Sequence, residues 1–128
     1  MKKEYSILLL CTQGNSVWFQ KIRRGLSQLG NLDIASQIQV MKLILKKDYD
    51  LIIIDAAATD DEILLILRIL AKIPQARIVI VTASATWRRA REAFHAGAMD
   101  YVSKTQTENE FYSKIRTVLN MTPPSQIC

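Results

Sequence analysis

The apolar positions of this chain fall into two alternating kinds of pattern. Ile7–Leu10 and Leu51–Ile54 are short unbroken apolar runs, as expected of strands whose sheet is covered on both faces. ARIVIVTA (76–83) is a third such strand, and LDIAS (32–36) and MDYVS (99–103) are shorter ones. Between these runs, apolar residues recur at helical intervals. Trp18, Phe19, Ile22, Leu26 and Leu29 mark a first helix, capped by Asn15 or Ser16 and ended by Gly30-Asn31. QIQVMKLILKKD (37–48) is a second helix, with Val40, Leu43 and Ile44 near one face. EILLILRILAKI (62–73) is a third, favoured at its amino end by Asp60 and Asp61 and stopped by Pro74. WRRAREAFHAGA (87–98) is a fourth, closing near Gly97, with Ala90, Ala93 and Phe94 expected to face the sheet. Glu108–Leu119 is the last helix before Pro123-Pro124 breaks the pattern.

Strands alternating with helices predict an α/β fold with a parallel sheet and right-handed crossovers. Such sheets carry their reactive loops beyond the carboxyl ends of the strands. Here those loops hold Cys11–Gly14, Asp55–Thr59, Thr82–Ala85 and Lys104-Thr105. Asp55, Thr82 and Lys104 make a coherent set: a carboxylate can act as nucleophile, a hydroxyl can hydrogen-bond a phosphoryl group, and an ammonium can neutralise its charge. Each residue alone carries little weight, because strand ends commonly meet solvent with a polar residue.

Composition narrows the picture. A chain of 128 residues with 49% hydrophobic content suits one domain with a substantial core. The division expected is a domain over 1–121 and a tail or start of a linker over 122–128. The net charge of +5 serves solubility as readily as an acidic partner. Cys11 lies in an apolar run and Cys128 is the last residue, so neither a disulfide framework nor a zinc spacing is present. A reducing, cytoplasmic setting fits. No apolar stretch approaches the ~18 residues of a membrane span, and the start MKKEYSILLL lacks a signal-peptide core.

The chemistry-bearing residues occur in a recognisable order. DLIIID ends at Asp55, Thr82-Ala83 closes the fourth strand, and GAMDYVSK supplies Gly97, Ala98, Asp100, Tyr101 and Lys104. Over residues 5–120 the sequence resembles the receiver domain of two-component response regulators. The resemblance implies a three-layer α/β/α sandwich: a flavodoxin-like, doubly wound, five-stranded parallel sheet of order 2-1-3-4-5. It implies Asp55 as phosphoacceptor from a sensor histidine kinase or phosphotransfer protein. It further implies Thr82, Ala83, Tyr101 and Lys104 as the switch and phosphate contacts. The output would pass through the surface of the fourth helix, fifth strand and fifth helix to a partner or an output domain. Homodimerisation through the fourth and fifth helices belongs to the same expectation.

Two departures from the family pattern change the expected chemistry. Family members usually end the first strand with an acidic pair that organises magnesium, whereas here Cys11, Thr12 and Gln13 stand there. Magnesium wants near-octahedral oxygen ligation. Asp55 and the backbone carbonyl of Ala57 would offer only two oxygens, so magnesium binding is expected to be weak and no cofactor to be required. The prolines usual after the acceptor and after the lysine are replaced by Thr59 and Thr105. Together these point to an atypical receiver with impaired phosphorylation that acts by protein contacts. Regulated phosphoacceptance at Asp55 and binding of a small anionic ligand at the strand ends stay open as alternatives.

Arg88, Arg89 and Arg91, extended by Lys114 and Arg116, form a candidate interaction surface. No DNA-reading motif accompanies them, and nucleic acid is not the expected partner. Trp18 is read as helix packing, His95 as a surface or packing residue, and Cys11 as a small buried strand-end residue. CTQGN is neither GxGxxG nor a phosphate loop. No hydrolytic triad or acid–base pair predicts enzymatic turnover.

Overall fold

The structure, a computed structural model, describes residues 4–12 and 17–122. Five strands alternate with five α-helices: β1 (Tyr5–Leu10), α1 (Val17–Leu29), β2 (Gly30–Ala35), α2 (Gln37–Lys46), β3 (Leu51–Asp55), α3 (Glu62–Lys72), β4 (Ile78–Thr82), α4 (Trp87–Ala96), β5 (Asp100–Ser103) and α5 (Glu108–Leu119). All strand pairings are parallel and the sheet order is β2-β1-β3-β4-β5, the flavodoxin-like arrangement that the resemblance implied.

The unbroken apolar runs are buried on both parities, for the reason that predicted them. Successive residues of a strand point to opposite faces. Ile7, Leu9, Leu51, Ile53, Val79 and Val81 therefore pack beneath α1 and α5, against Ile22, Leu26, Phe111 and Ile115. Leu8, Leu10, Ile52, Ile54, Ile78 and Ile80 pack on the other face, against Val40 of α2, Ile66 and Ile69 of α3 and Ala93 of α4. Each fully buried Leu or Ile contributes about 1.5–3 kcal/mol of transfer free energy. Truncating a central one such as Ile53, fully buried, to Ala adds a cavity and costs about 2–5 kcal/mol.

The helix starts follow from side chains that satisfy exposed amide groups. Asp61 Oδ1 accepts from the Leu64 N–H at 3.0 Å, which sets the start of α3. Asp60 has a different role: its own N–H donates to Gln37 Oε1. Thr86 Oγ1 caps α4 by accepting from the Arg89 N–H. Thr107 and Glu110 exchange reciprocal bonds at the start of α5. Gly97, in the left-handed region at φ 117°, closes α4 as expected.

Gly30 and Asn31 end α1 as expected and also open β2, two residues earlier than the sequence pattern implied, where a Cβ on Gly30 would collide with the backbone of Tyr5. The loop after β3 carries a 3-10 turn over Ala56–Ala58. One expectation is corrected. Phe94 does not face the sheet but is 46% exposed. The small side chain of Ala93, fully buried, faces inward and brings α4 close to the sheet, which leaves Phe94 on its flank. The expected Asn15 or Ser16 cap and most of the 122–128 tail lie outside the described residues.

Candidate functional site

The site is built at the carboxyl edge of the sheet. Asp55 is the last residue of β3 and is only 4% exposed, because β1 and β4 flank that strand. Each of its carboxylate oxygens is engaged. Oδ1 accepts from the Ala57 N–H at 3.0 Å, a bond that also opens the 3-10 turn. Oδ2 accepts from the Lys104 ammonium at 2.8 Å. Lys104 follows β5, and its backbone N–H donates to the Thr82 carbonyl at 2.8 Å, which anchors the stem of the side chain between β4 and β5. Sheet register thus delivers the lysine to a carboxylate 49 residues earlier in the chain.

Thr82, 7% exposed, ends β4 at the same edge, and its Oγ1 accepts from the Ser84 N–H at 3.1 Å. Ala83 beside it is exposed. Tyr101 packs on the core face that carries α4, and its buried hydroxyl has no hydrogen-bond partner among the described residues. Cys11, a free thiol 3% exposed, closes β1 as expected of a small strand-end residue. Burial pushes its pKa up and the Asp55 carboxylate raises it further, with Lys104 pulling the other way. A redox or nucleophilic thiol needs the opposite shift. Thr12 is exposed, and Gln13 lies outside the described residues.

The described side chains offer a magnesium ion few oxygen ligands. Among the described residues no three acidic, histidine or cysteine side chains converge as a metal cluster. Asp55 is the only carboxylate in the set, its neighbours at the end of β1 are a thiol and a hydroxyl, and the cation beside it is an ammonium. A hard divalent ion would have to displace that ammonium with few oxygen ligands in return.

Trp18 meets the edge of Phe111, with ring centroids 6.3 Å apart, as helix packing requires. It also lies under the Lys104 ammonium, which stands 4.7 Å from the indole centroid. No sequence spacing signals that contact. The same holds for Glu62, which sequence reasoning passed over: 7% exposed at the start of α3, it receives both hydrogen bonds of Arg89 Nη1, at 3.2 and 3.1 Å.

That pairing divides the candidate interaction surface. Arg89 is committed to Glu62, and Arg88 reaches Glu92 at 3.5 Å while staying largely in solvent. Arg91 is exposed, together with Trp87 (79%) and Phe94. Lys114 is half-buried and Arg116 exposed on α5. α4 and α5 cover opposite faces of the sheet, and both border the edge strand β5.

Comparison with known proteins gives a consistent picture. The family model described as response regulator receiver domain matches residues 16–116. Among solved structures, the signal receiver domain of an HD-domain protein from Pseudomonas fluorescens is 25% identical, with a TM-score of 0.78 over 91% of this chain and 95% of that one. A two-component response regulator from Clostridium difficile is 24% identical, with a TM-score of 0.78 over 91% and 96%. An orphan response regulator of H. pylori is 23% identical, with a TM-score of 0.76 over 90% and 97%. No curated protein sequence matches the chain significantly.

Proposed function

The chain belongs to the response regulator receiver domain family, and we propose that it is an atypical receiver: a signalling module that acts through protein contacts, with impaired magnesium-dependent phosphorylation. The observation that carries this reading is the Lys104–Asp55 bond in a site whose first strand ends in Cys11 and Thr12. The ammonium neutralises the carboxylate that a phosphodonor would need as a free nucleophile. With no acidic pair to hold a divalent ion, little draws the lysine away. Magnesium binding is accordingly weak and no cofactor is required.

The partner surface in this reading is the outer flank of α4. Trp87, Arg91 and Phe94 are the residue types that anchor interfaces, and all three are exposed. Arg116 and Lys114 extend it across β5, to a partner protein, an output domain or a second copy of the chain. The exchange of information is two-state, so the partner must prefer one arrangement of this face over another. Among the described residues, no helix is long and apolar enough to cross a membrane. The module works in the cytoplasm, as a signalling domain and not as an enzyme.

Regulated phosphoacceptance is the second reading, favoured by one observation: Asp55, Thr82 and Lys104 stand at one sheet edge. A neighbour from Burkholderia pseudomallei, 22% identical with a TM-score of 0.71, carries a phosphorylated aspartic acid with a calcium ion and citrate. Replacing Asp55 by Asn in the cell separates the readings. Output is expected to survive the substitution, and loss of output by a stably folded Asp55→Asn protein would favour phosphoacceptance.

A further inference from the structure

Three groups meet at the mouth of the site. The Lys104 ammonium touches Asp55 Oδ2 and also covers the Trp18 indole, with the ring centroid 4.7 Å away. A cation over an indole face is held by the ring's quadrupole, and more strongly where water is excluded. Water is largely excluded here: the Lys104 side chain is 19% exposed and that of Asp55 6%.

The indole is itself held in place. Its edge contact with Phe111 ties it to α5, and Phe111 stacks edge-on against Tyr112 at 5.5 Å. The Tyr112 hydroxyl lies within hydrogen-bonding distance of the Lys21 and Ile22 carbonyls of α1, at 3.1 and 3.2 Å, closing a loop of contacts between α1 and α5. Packing of these two helices therefore sets where the indole face lies. Beside it opens a cleft of about 260 Å³, lined in part by Trp18, Lys21, Gln106 and Lys104.

We propose that Trp18 is a positioning residue of this site: its indole face holds the Lys104 ammonium on Asp55, so that α1 latches the carboxylate in a neutralised, covered state. The proposal rests on the reading of Asp55 and Lys104 as the functional pair, and it adds the element that regulates the pair. Movement of α1 relative to α5 would release the lysine and uncover the carboxylate. A partner that pries the two helices apart would thereby change the state of Asp55 without any phosphoryl transfer.

The test is the rate at which acetic anhydride acylates Lys104, followed by peptide mass spectrometry, with the exposed Lys42 and Lys72 as internal references. Wild type is compared with Trp18→Leu, Trp18→Phe and Asp55→Asn, each checked for fold by circular dichroism. Trp18→Leu is expected to speed Lys104 acylation about three- to tenfold, the range of a partly desolvated cation–π contact. Trp18→Phe, which keeps an aromatic face, should restore most of the protection, an outcome that simple apolar packing would not produce. If Asp55→Asn speeds acylation but folded Trp18→Leu does not, the latch is overturned and the ion pair stands. If Asp55→Asn leaves the rate unchanged, the ion-pair reading itself falls, and the latch with it. Should Trp18→Leu fail to fold, Trp18 fluorescence in a Trp87→Phe background serves instead: Lys104→Met must shift the emission, and unchanged emission overturns the proposal.

Discussion

Lys104 Nζ sits 2.8 Å from Asp55 Oδ2, and both side chains are largely buried, the carboxylate (6% exposed) more fully than the lysine (19%). Removing one partner of a buried pair strands the other charge. Lys104→Met should therefore cost roughly 2–3 kcal/mol, because among the described residues Asp55 keeps only the Ala57 N–H. Asp55→Asn should cost less, about 1 kcal/mol, because the freed ammonium can reach water along its flexible stem. Urea denaturation of both variants and the double variant gives the coupling between them.

The two arginine pairs of α4 should differ in the same way. Arg89 meets Glu62, whose side chain is 10% exposed, so Arg89→Ala leaves a carboxylate in a nearly dry place and should cost about 1–3 kcal/mol. Arg88 and Glu92 are 85% and 51% exposed, and Arg88→Ala should cost less than about 0.5 kcal/mol. Denaturant midpoints for the two variants check the contrast. For binding studies, charge reversal at Arg91 probes the surface without disturbing α3.

Acid stability has an identifiable contributor in Asp33. The Tyr49 hydroxyl at 2.6 Å and the Lys47 ammonium at 2.9 Å hold its carboxyl below the usual carboxylate range. The folded state therefore binds its proton less readily than the unfolded chain. That contribution is present above the unfolded pKa of about 4 and is lost as pH falls through the lower folded value. Because the carboxylate is 36% exposed, the contribution should stay below about 1 kcal/mol. Asp33→Asn should narrow the stability difference between pH 7 and pH 3 accordingly. Tyr49 acts at the other end: burial, then the bond to Asp33, raise its pKa. Its contribution is intact below the unfolded value of about 10 and declines as pH rises toward the higher folded one.

Cys11 should be a poor nucleophile. Burial and the Asp55 carboxylate both favour the thiol over the thiolate. Alkylation by iodoacetamide at pH 8, read on the Cys11 peptide, should run at least about tenfold slower than for an exposed cysteine. Asp55→Asn should speed it modestly by removing the negative field.

What was legible in the sequence was what depends on local pattern. The unbroken runs at Leu51–Ile54 and Ile78–Val81 announced strands buried on both faces, and the order of Asp55, Thr82 and Lys104 announced the loops they end. The cap at Asp61, expected from its place before an apolar helical run, uses a short-range bond of three residues' span. The rest depends on rotation and distance. Helical spacing placed Phe94 near Ala93, but only packing decides that Ala93 turns inward and leaves the ring outside. Glu62 reaches an arginine 27 residues away, and Trp18 reaches a lysine from the far end of the chain. No local signal encodes either meeting.

The central question is whether Asp55, held by Lys104 in a site without the acidic pair, still accepts a phosphoryl group. Incubation with acetyl phosphate, with and without magnesium, followed by intact mass measurement of wild type and Asp55→Asn, addresses this directly. The expected result is no phosphoryl adduct on the wild type above the Asp55→Asn background, in either condition. A robust adduct that requires both Asp55 and magnesium would contradict the account.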